Sequence, residues 1–175
     1  VSNAIDGKNS QGRGIFVANG DRNVITNNRI YNHTLYGVYM TATAASNVVV
    51  GNTISSNASS GVRLDGVDVD ANRVVSNTMD GKNRQDRGVR LANGDRNVIT
   101  NNRIYNHTQY GVYLDASAAT NVVVANTIYS NAPGSLAGIV LTNGAGRENR
   151  IVRNTIYRAG SNGIVLFAGT NNRFV

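Results

Sequence analysis

One repeat dominates this sequence, because an asparagine returns about every 24 residues along most of the chain. The intervals are 24, 25, 25, 24, 28 and 23 residues for the series Asn23, Asn47, Asn72, Asn97, Asn121, Asn149 and Asn172. A second asparagine follows five residues after each of the first six, at Asn28, Asn52, Asn77, Asn102, Asn126 and Asn154. Self-similarity at a period in this range is the signature of a repeat architecture.

Each repeat also carries an apolar pattern. Two residues after the second asparagine comes an apolar side chain, at Ile30, Ile54, Met79, Ile104, Ile128 and Ile156. A glycine then opens an apolar-x-apolar stretch, at Gly37, Gly61, Gly88, Gly111, Gly138 and Gly163. Such alternation indicates short strands, and a turn of about 24 residues holds three of them. Turns stacked about 4.8 Å apart pair each strand in parallel with its copies, so we predict an all-β parallel β-helix of about seven coils.

The composition agrees with this interpretation. The chain has 27 Asn and 19 Gly against a single Pro. Asn and Gly are poor helix formers, and both tolerate left-handed backbone positions at sharp corners, where we expect the asparagines. Stacked Asn amides can also hydrogen-bond along the axis, which predicts asparagine ladders. An α-solenoid would need amphipathic helices of about 12 residues, which this composition does not support. The signature of leucine-rich repeats is also missing.

The chain contains a longer duplication as well. The segment Ala18–Thr34 recurs unchanged as Ala92–Thr108. Aligning Asp6–Asn57 with Asp80–Asn131 gives 40 identities in 52 positions, and predicted surface positions match as well as core ones. This indicates recent duplication or deliberate construction. A length of 175 residues suits one domain, so we predict a single β-helix domain over residues 1–175.

These repeats resemble the right-handed parallel β-helix repeat of the pectate-lyase-like superfamily, with its pattern N-x-I-x-x-N-x-I followed by G-I-x-L. The resemblance covers nearly the whole chain, from Asn3 to Val175. It implies a right-handed helix and relatives among polysaccharide lyases, galacturonases, mannuronan epimerases, phage tailspikes and periplasmic metal-loading proteins. A fold shared so widely does not select among these functions.

A stripe of large side chains is predicted on the strand that follows each glycine. The middle residue of that strand should point outward, which gives the column Phe16, Tyr39, Arg63, Arg90, Tyr113, Val140 and Val165, with Asp65 and Asp115 just past the strand. Aromatic rings stack on sugar faces, and arginine pairs with carboxylates. We therefore predict a binding face formed by Phe16, Tyr39, Arg63, Arg90, Tyr113 and Asp115.

The same stripe holds the candidate catalytic groups. The resemblance makes Arg63, Arg90, Tyr39, Tyr113 and Asp65 the first candidates for neutralising a uronate carboxylate and removing the neighbouring proton. The match to particular enzymes stops there, because the Asp-Pro-His-Glu sequence of the mannuronan epimerases is missing. The cluster Asp65, Asp68 and Asp70 is the nearest analogue of the pectate lyase calcium site, but its spacing fits no calcium loop, and Asp is common in turns.

We predict no metal site and no cofactor. The two histidines follow a second outward column, formed by Tyr31, Tyr105, Tyr129 and Tyr157, and each is interpreted as a turn residue. His33 and His107 should lie about 15 Å apart if three coils separate them, too far to share a metal ion.

Three irregular stretches depart from the repeat. Asp6–Gly14 and Asp80–Gly88 lengthen the interval between asparagine and glycine by two residues, and Tyr129–Gly138 lengthens it by three and holds Pro133. We expect loops at one corner, which either border a binding groove or are tolerated insertions.

The charge narrows the class of partner. The net charge is +7, carried by 15 Arg and two Lys, which favours an acidic polysaccharide; the alternative is that arginine stems merely cover the strand faces. Nucleic acid ranks last, because the basic residues form no cluster. The leading hypothesis is a secreted or cell-surface module that binds an acidic polysaccharide. The alternatives are a lyase or epimerase acting on polyuronate, and a structural scaffold.

Self-association is a further expectation. The sequence at Asn172–Val175 resembles Asn72–Val75, while Val1–Asn9 resembles Val75–Asn83, so the chain stops near the phase at which it starts. No capping segment is apparent, although repeat proteins usually need one. The chain is therefore expected to be a piece of a longer β-helix or to stack end to end. No apolar run approaches the roughly 20 residues of a membrane span, so no membrane partner is expected.

Overall fold

The computed structural model describes residues 2–115, 117–131, 137–142 and 146–175. Within these ranges the chain forms strands, bends and turns and no helix, so no helix of the described part is long and apolar enough to span a membrane. The irregular stretch around Pro133 lies largely outside the described residues.

Twenty-one short strands follow one another in the described ranges. They are β1 (Ala4–Asp6), β2 (Arg13–Val17), β3 (Val24–Thr26), β4 (Arg29–Tyr31), β5 (Tyr36–Thr41), β6 (Val48–Val50), β7 (Thr53–Ser55), β8 (Ser60–Asp65), β9 (Arg73–Val75), β10 (Thr78–Asp80), β11 (Arg87–Leu91), β12 (Val98–Thr100), β13 (Arg103–Tyr105), β14 (Tyr110–Leu114), β15 (Val122–Val124), β16 (Thr127–Tyr129), β17 (Ala137–Leu141), β18 (Arg150–Val152), β19 (Thr155–Tyr157), β20 (Asn162–Leu166) and β21 (Arg173–Phe174).

Every third strand belongs to the same sheet. Sheet A runs from β1 to β19, sheet B from β2 to β20 and sheet C from β3 to β21, and each has seven strands in parallel pairing. The chain passes each sheet seven times, which amounts to between six and seven turns. The predicted parallel β-helix with three short strands per coil is confirmed.

The core is a set of apolar columns along the axis. Register places Ile30 beside Ile54 and Met79 beside Ile104, and these side chains are fully buried. Sheet B adds a column in which Leu64, Leu91 and Leu114 lie in register. Strands this short form only because neighbouring coils share one continuous apolar interior.

The repeated asparagines form ladders of hydrogen bonds along the axis. They do not, however, occupy the left-handed corner positions expected for Asn. The residue before the ladder asparagine has the positive φ, as at Asn27, Gly51 and Ser76. The ladder asparagine itself points inward and is buried, and its Oδ1 accepts hydrogen bonds from the backbone N and Nδ2 of the coil before it. Asn77 accepts in this way from Asn52 at 2.9 and 3.0 Å. An inward side chain satisfies buried amides that a solvent-facing turn residue would leave unpaired.

His33 and His107 are also placed differently from the expectation of turn residues beside an outward tyrosine column. Both side chains are fully buried inside the corner between sheets A and B. The His33 backbone N donates to Asn57 Oδ1 at 3.1 Å, and the His107 backbone N donates to Asn131 Oδ1 at 3.2 Å. They occupy an inner polar ladder because the chain turns inward directly after the positive-φ residues Asn32 and Asn106.

Candidate functional site

Sheet B carries the longest strands and presents the predicted stripe. Its register aligns Phe16 with Tyr39, Tyr39 with Arg63, Arg63 with Arg90, Arg90 with Tyr113, Tyr113 with Val140, and Val140 with Val165. The residues on either side in each strand face the core, such as Val38 and Met40 around Tyr39. The structure therefore brings the stripe residues together along the helix axis.

A second outward column on sheet B was not anticipated from the sequence. It lies immediately before the glycines and contains Arg13, Tyr36, Arg87 and Tyr110, with the fully buried Ser60 at the register position between Tyr36 and Arg87. Strict alternation counted back from Phe16 would place Gly14 on the outer face. That position faces inward instead, because a Cβ there would lie 2.5 Å from Cγ2 of the fully buried Ile30. The strand bends at the glycine, so the next outward residue is three positions back rather than two.

The two columns interlock into an aromatic and cationic surface, which we call the sheet B face. Phe16 stacks on Tyr39 with ring centroids 5.4 Å apart, and Tyr110 stacks on Tyr113 at 5.1 Å. The Arg13 guanidinium lies 4.6 Å from the Phe16 ring centroid. Contacts of this kind hold both guanidinium groups and rings in fixed positions.

Two of the predicted arginines are neutralised within the face. Arg63 forms an ion pair with Asp65 and a hydrogen bond with the Tyr36 hydroxyl. Burial alone would lower the pKa of Arg63, but the hydrogen bond and charge of Asp65 outweigh it and the pKa is raised. Arg90 Nη2 lies 2.7 Å from Asp115 Oδ2, and the Thr142 hydroxyl donates to Asp115 Oδ1 at 3.1 Å. Asp65 and Asp115 therefore serve first to hold these arginines.

Of the partly buried arginines Arg63, Arg87 and Arg90, Arg87 has the weakest carboxylate partner. Its Nη1 lies 4.0 Å from Asp86 Oδ2, beyond hydrogen-bond distance, and its side chain is only 17 % exposed. Burial lowers the pKa of Arg87, and the neighbouring charge of Arg90 lowers it further. The Nε groups of Arg87 and Arg90 are buried and have no hydrogen-bond partner among the described residues. The centre of the face thus holds positive charge with unused N–H donors.

The part of the stripe that follows Tyr113 is apolar. Val140 is fully buried and Val165 partly exposed, so no polar group continues the column beyond Tyr113. Among the described residues, no three His, Asp or Glu side chains come together as a candidate metal site.

The sequence profile of right-handed β-helix regions matches residues 8–175. The chain belongs to the right-handed β-helix family. No curated protein sequence matches this β-helix significantly.

Several solved structures share the fold of this right-handed β-helix. The periplasmic alginate epimerase AlgG is similar with a TM-score of 0.69 and 20 % identity, over 90 % of this chain and 39 % of AlgG. DFA-IIIase from Arthrobacter chlorophenolicus A6 has a TM-score of 0.75 and 14 % identity, over 94 % and 44 % of the two chains. The Dettilon tailspike protein has a TM-score of 0.70 and 21 % identity, over 94 % and 43 %. The chain spans less than half the length of these three proteins, and the likeness concerns the fold.

Proposed function

We propose that this β-helix binds an acidic polysaccharide on the sheet B face, outside the cell or in the periplasm. One observation carries the proposal: Arg87 and Arg90 place buried, unpartnered Nε donors between aromatic rings at the centre of the face. A sugar carboxylate would supply an acceptor for Arg87, which has no carboxylate within hydrogen-bond distance, and for the Nε of Arg90, whose Nη2 is already paired with Asp115. The similar structures include an alginate epimerase, which supports a polymer of this class.

The shape of the face supports a polymer rather than a small molecule. Aromatic and cationic side chains follow the axis from Arg13 in β2 to Tyr113 in β14, which spans four coil spacings, or about 19 Å. The face is a row, not an enclosed cavity, and an extended chain can contact several coils at once. The net charge of +7 adds long-range attraction for a polyanion.

Replacement of Arg87 tests this proposal. We expect Arg87→Gln to weaken binding of polygalacturonate or alginate about five- to tenfold at low ionic strength, because the loss of one close charge contact is worth about 1 kcal/mol. Arg73→Gln is the matched control, since it removes the same charge from an exposed position on sheet C, and it should change affinity less than about twofold. Affinity electrophoresis in gels with and without each polymer measures both variants. Equal affinity of the two variants, or equal binding of a neutral glucan by the wild type, would refute the proposed face.

Catalysis on a polyuronate is the alternative for the same face. The Arg87 guanidinium lies 4.9 Å from the Tyr113 ring centroid. The pKa of Arg87 is lowered, which is the property that a proton-accepting arginine needs. Of the candidates Arg63, Arg90, Tyr39, Tyr113 and Asp65, the arginines and Asp65 are held in ion pairs or hydrogen bonds. An unsaturated product that absorbs in the ultraviolet, or epimerised residues seen by NMR, would favour catalysis over binding alone.

Self-association is a second candidate, and one observation favours it. Ile164 and Leu166 of β20 are 37 % and 42 % exposed, although the residues beside them in register, Ile139 and Leu141, are fully buried. Coils of a second copy packed against β20 would cover these apolar columns.

A further inference from the structure

A polar groove of about 550 Å³ lies at the corner between sheets A and B, away from the sheet B face. Its lining extends over four successive coils and consists of amides, hydroxyls and one guanidinium, without a carboxylate. The main lining residues are Asn83, Asn106, Ser130, Asn131, Arg158 and Ser161.

The groove lies where the inner polar ladder of this corner ends. Asn57 donates from Nδ2 to Gln85 Oε1 at 3.3 Å, and the Gln85 amide contacts His107 Nδ1 at 3.3 Å. The His107 backbone N then donates to Asn131 Oδ1 at 3.2 Å. Tyr129 and Tyr157 lie in register, and Asn131 is two residues after Tyr129. The equivalent of Asn131 in the next coil is therefore Ala159.

Alanine at this ladder position leaves the Asn131 Nδ2 donor without a ladder acceptor. Alanine has no side-chain oxygen to receive the Nδ2 of Asn131, as Gln85 receives that of Asn57. The Asn131 side chain is 97 % buried, with 3 % exposure, and its Nδ2 has no hydrogen-bond partner among the described residues. A buried amide donor in this state costs free energy that a bound oxygen atom would recover.

An aromatic surface borders the groove on sheet A. Tyr105, Tyr129 and Tyr157 stack nearly parallel, with centroid distances of 4.9 and 5.0 Å. Tyr157 ends this stack among the described residues and is 45 % exposed. Arg158 follows it directly and is exposed in the groove wall. Tyr157 lines a smaller depression that shares Arg158, Gly160 and Ser161 with the groove, so an aromatic ring adjoins the cation and the amide and hydroxyl groups of the groove.

We propose that this corner groove binds one acidic sugar residue, whose oxygen accepts from Asn131 Nδ2, whose carboxylate pairs with Arg158 and whose ring packs against Tyr157. The sugar oxygen takes the place of the ladder acceptor that Ala159 does not provide. The ligand class is taken from the proposed function, but the site is separate from the sheet B face and contains none of its residues.

Restoration of the ladder is the first test. In Ala159→Asn the new Oδ1 should accept from Asn131 Nδ2, as in the other ladders, and the new side chain should fill the base of the groove. We expect this variant to unfold at a higher temperature than the wild type and to bind trigalacturonate at the corner at least about tenfold more weakly. The readout is the NMR shift of the Asn131 side-chain amide during titration. A more stable protein with weaker binding cannot be explained by misfolding.

Removal of the aromatic surface is the second test. Tyr157→Ala should abolish the titration shift of the Asn131 amide, while Tyr31→Ala, at the equivalent sheet A position on β4, should retain it. Arg87→Gln should also retain it, which separates this site from the sheet B face. The proposal is overturned if trigalacturonate shifts only sheet B resonances, or if Ala159→Asn keeps the wild-type response. If trigalacturonate shifts neither the corner resonances nor the sheet B resonances, both this proposal and the proposed function are refuted.

Discussion

Single buried side chains connect each coil to the next. The Nδ2 of Asn77 donates to Val49 O at 2.8 Å and to Asn102 Oδ1 at 3.0 Å, while its Oδ1 accepts from Asn52. Asn77 thus forms hydrogen bonds with the coils on both sides. A buried amide left unpaired costs about 1–3 kcal/mol, so the ladders enforce the register along the axis.

His107 makes the corner ladder sensitive to acid. Burial lowers the pKa of His107 to about 3, although Asp80 and backbone hydrogen bonds act in the opposite direction. In the unfolded chain the pKa of this histidine is near 6.5. Between about pH 3 and pH 6.5 the unfolded chain therefore binds one more proton than the folded protein. Stability is therefore fully present above pH 6.5 and should fall as the pH is lowered through that window, by up to about 1.4 kcal/mol per pH unit.

The variant His107→Asn isolates this contribution. Asn57 and Asn131 occupy the same ladder position in other coils, so asparagine suits the site. Urea unfolding at pH 7 and pH 5 should show a smaller loss of stability on acidification for the variant than for the wild type. The lowered pKa values of Asp6 and Asp80 act only near and below their ordinary value of 3.8, outside this range. Identical pH dependence of the two proteins would contradict a neutral buried His107.

The glycine column decides the shape of the sheet B strands. A Cβ on Gly88 would lie 2.6 Å from the Gly111 carbonyl oxygen and would also overlap the Ile104 side chain. The backbone approaches this closely because the chain bends inward at the glycine. That bend is what turns Arg87 outward beside Arg90.

Alanine at two glycines of this column should destabilise the protein to different extents. Gly88→Ala should destabilise the protein by about 1–3 kcal/mol, because the backbone of the next coil must move. Gly163→Ala should cost less than about 0.5 kcal/mol, since its Cβ would meet only Ile156 Cγ2 at 3.9 Å. Chemical denaturation measures both variants. A similar loss for both would show that glycine is needed at this position for a reason other than close approach.

At the scale of the whole molecule, the last sheet B strand, β20, exposes apolar side chains of the core columns. If copies of this β-helix associate through β20, the mass seen by light scattering should rise with concentration, because an end-to-end contact does not close on itself. Leu166→Glu should hold that mass constant by placing a charge on the exposed column, while Val67→Glu, at a side chain that is 76 % exposed elsewhere, should behave like the wild type. A constant monomer mass for the wild type at every concentration would remove the self-association candidate.

The sequence by itself determined the parallel β-helix, its three strands per coil and the outward stripe from Phe16 to Tyr113. A repeat forces equivalent residues into equivalent positions, so spacing alone defines the ladders. Only the tertiary structure decided that Arg63 and Arg90 are neutralised by Asp65 and Asp115, and that His33 and His107 face the interior. Those pairings depend on side-chain directions at bends, where alternation fails, and on neighbours about 24 residues away. The column with Arg87 was missed for the same reason, since the inward bend at each glycine shifts which residue faces the solvent.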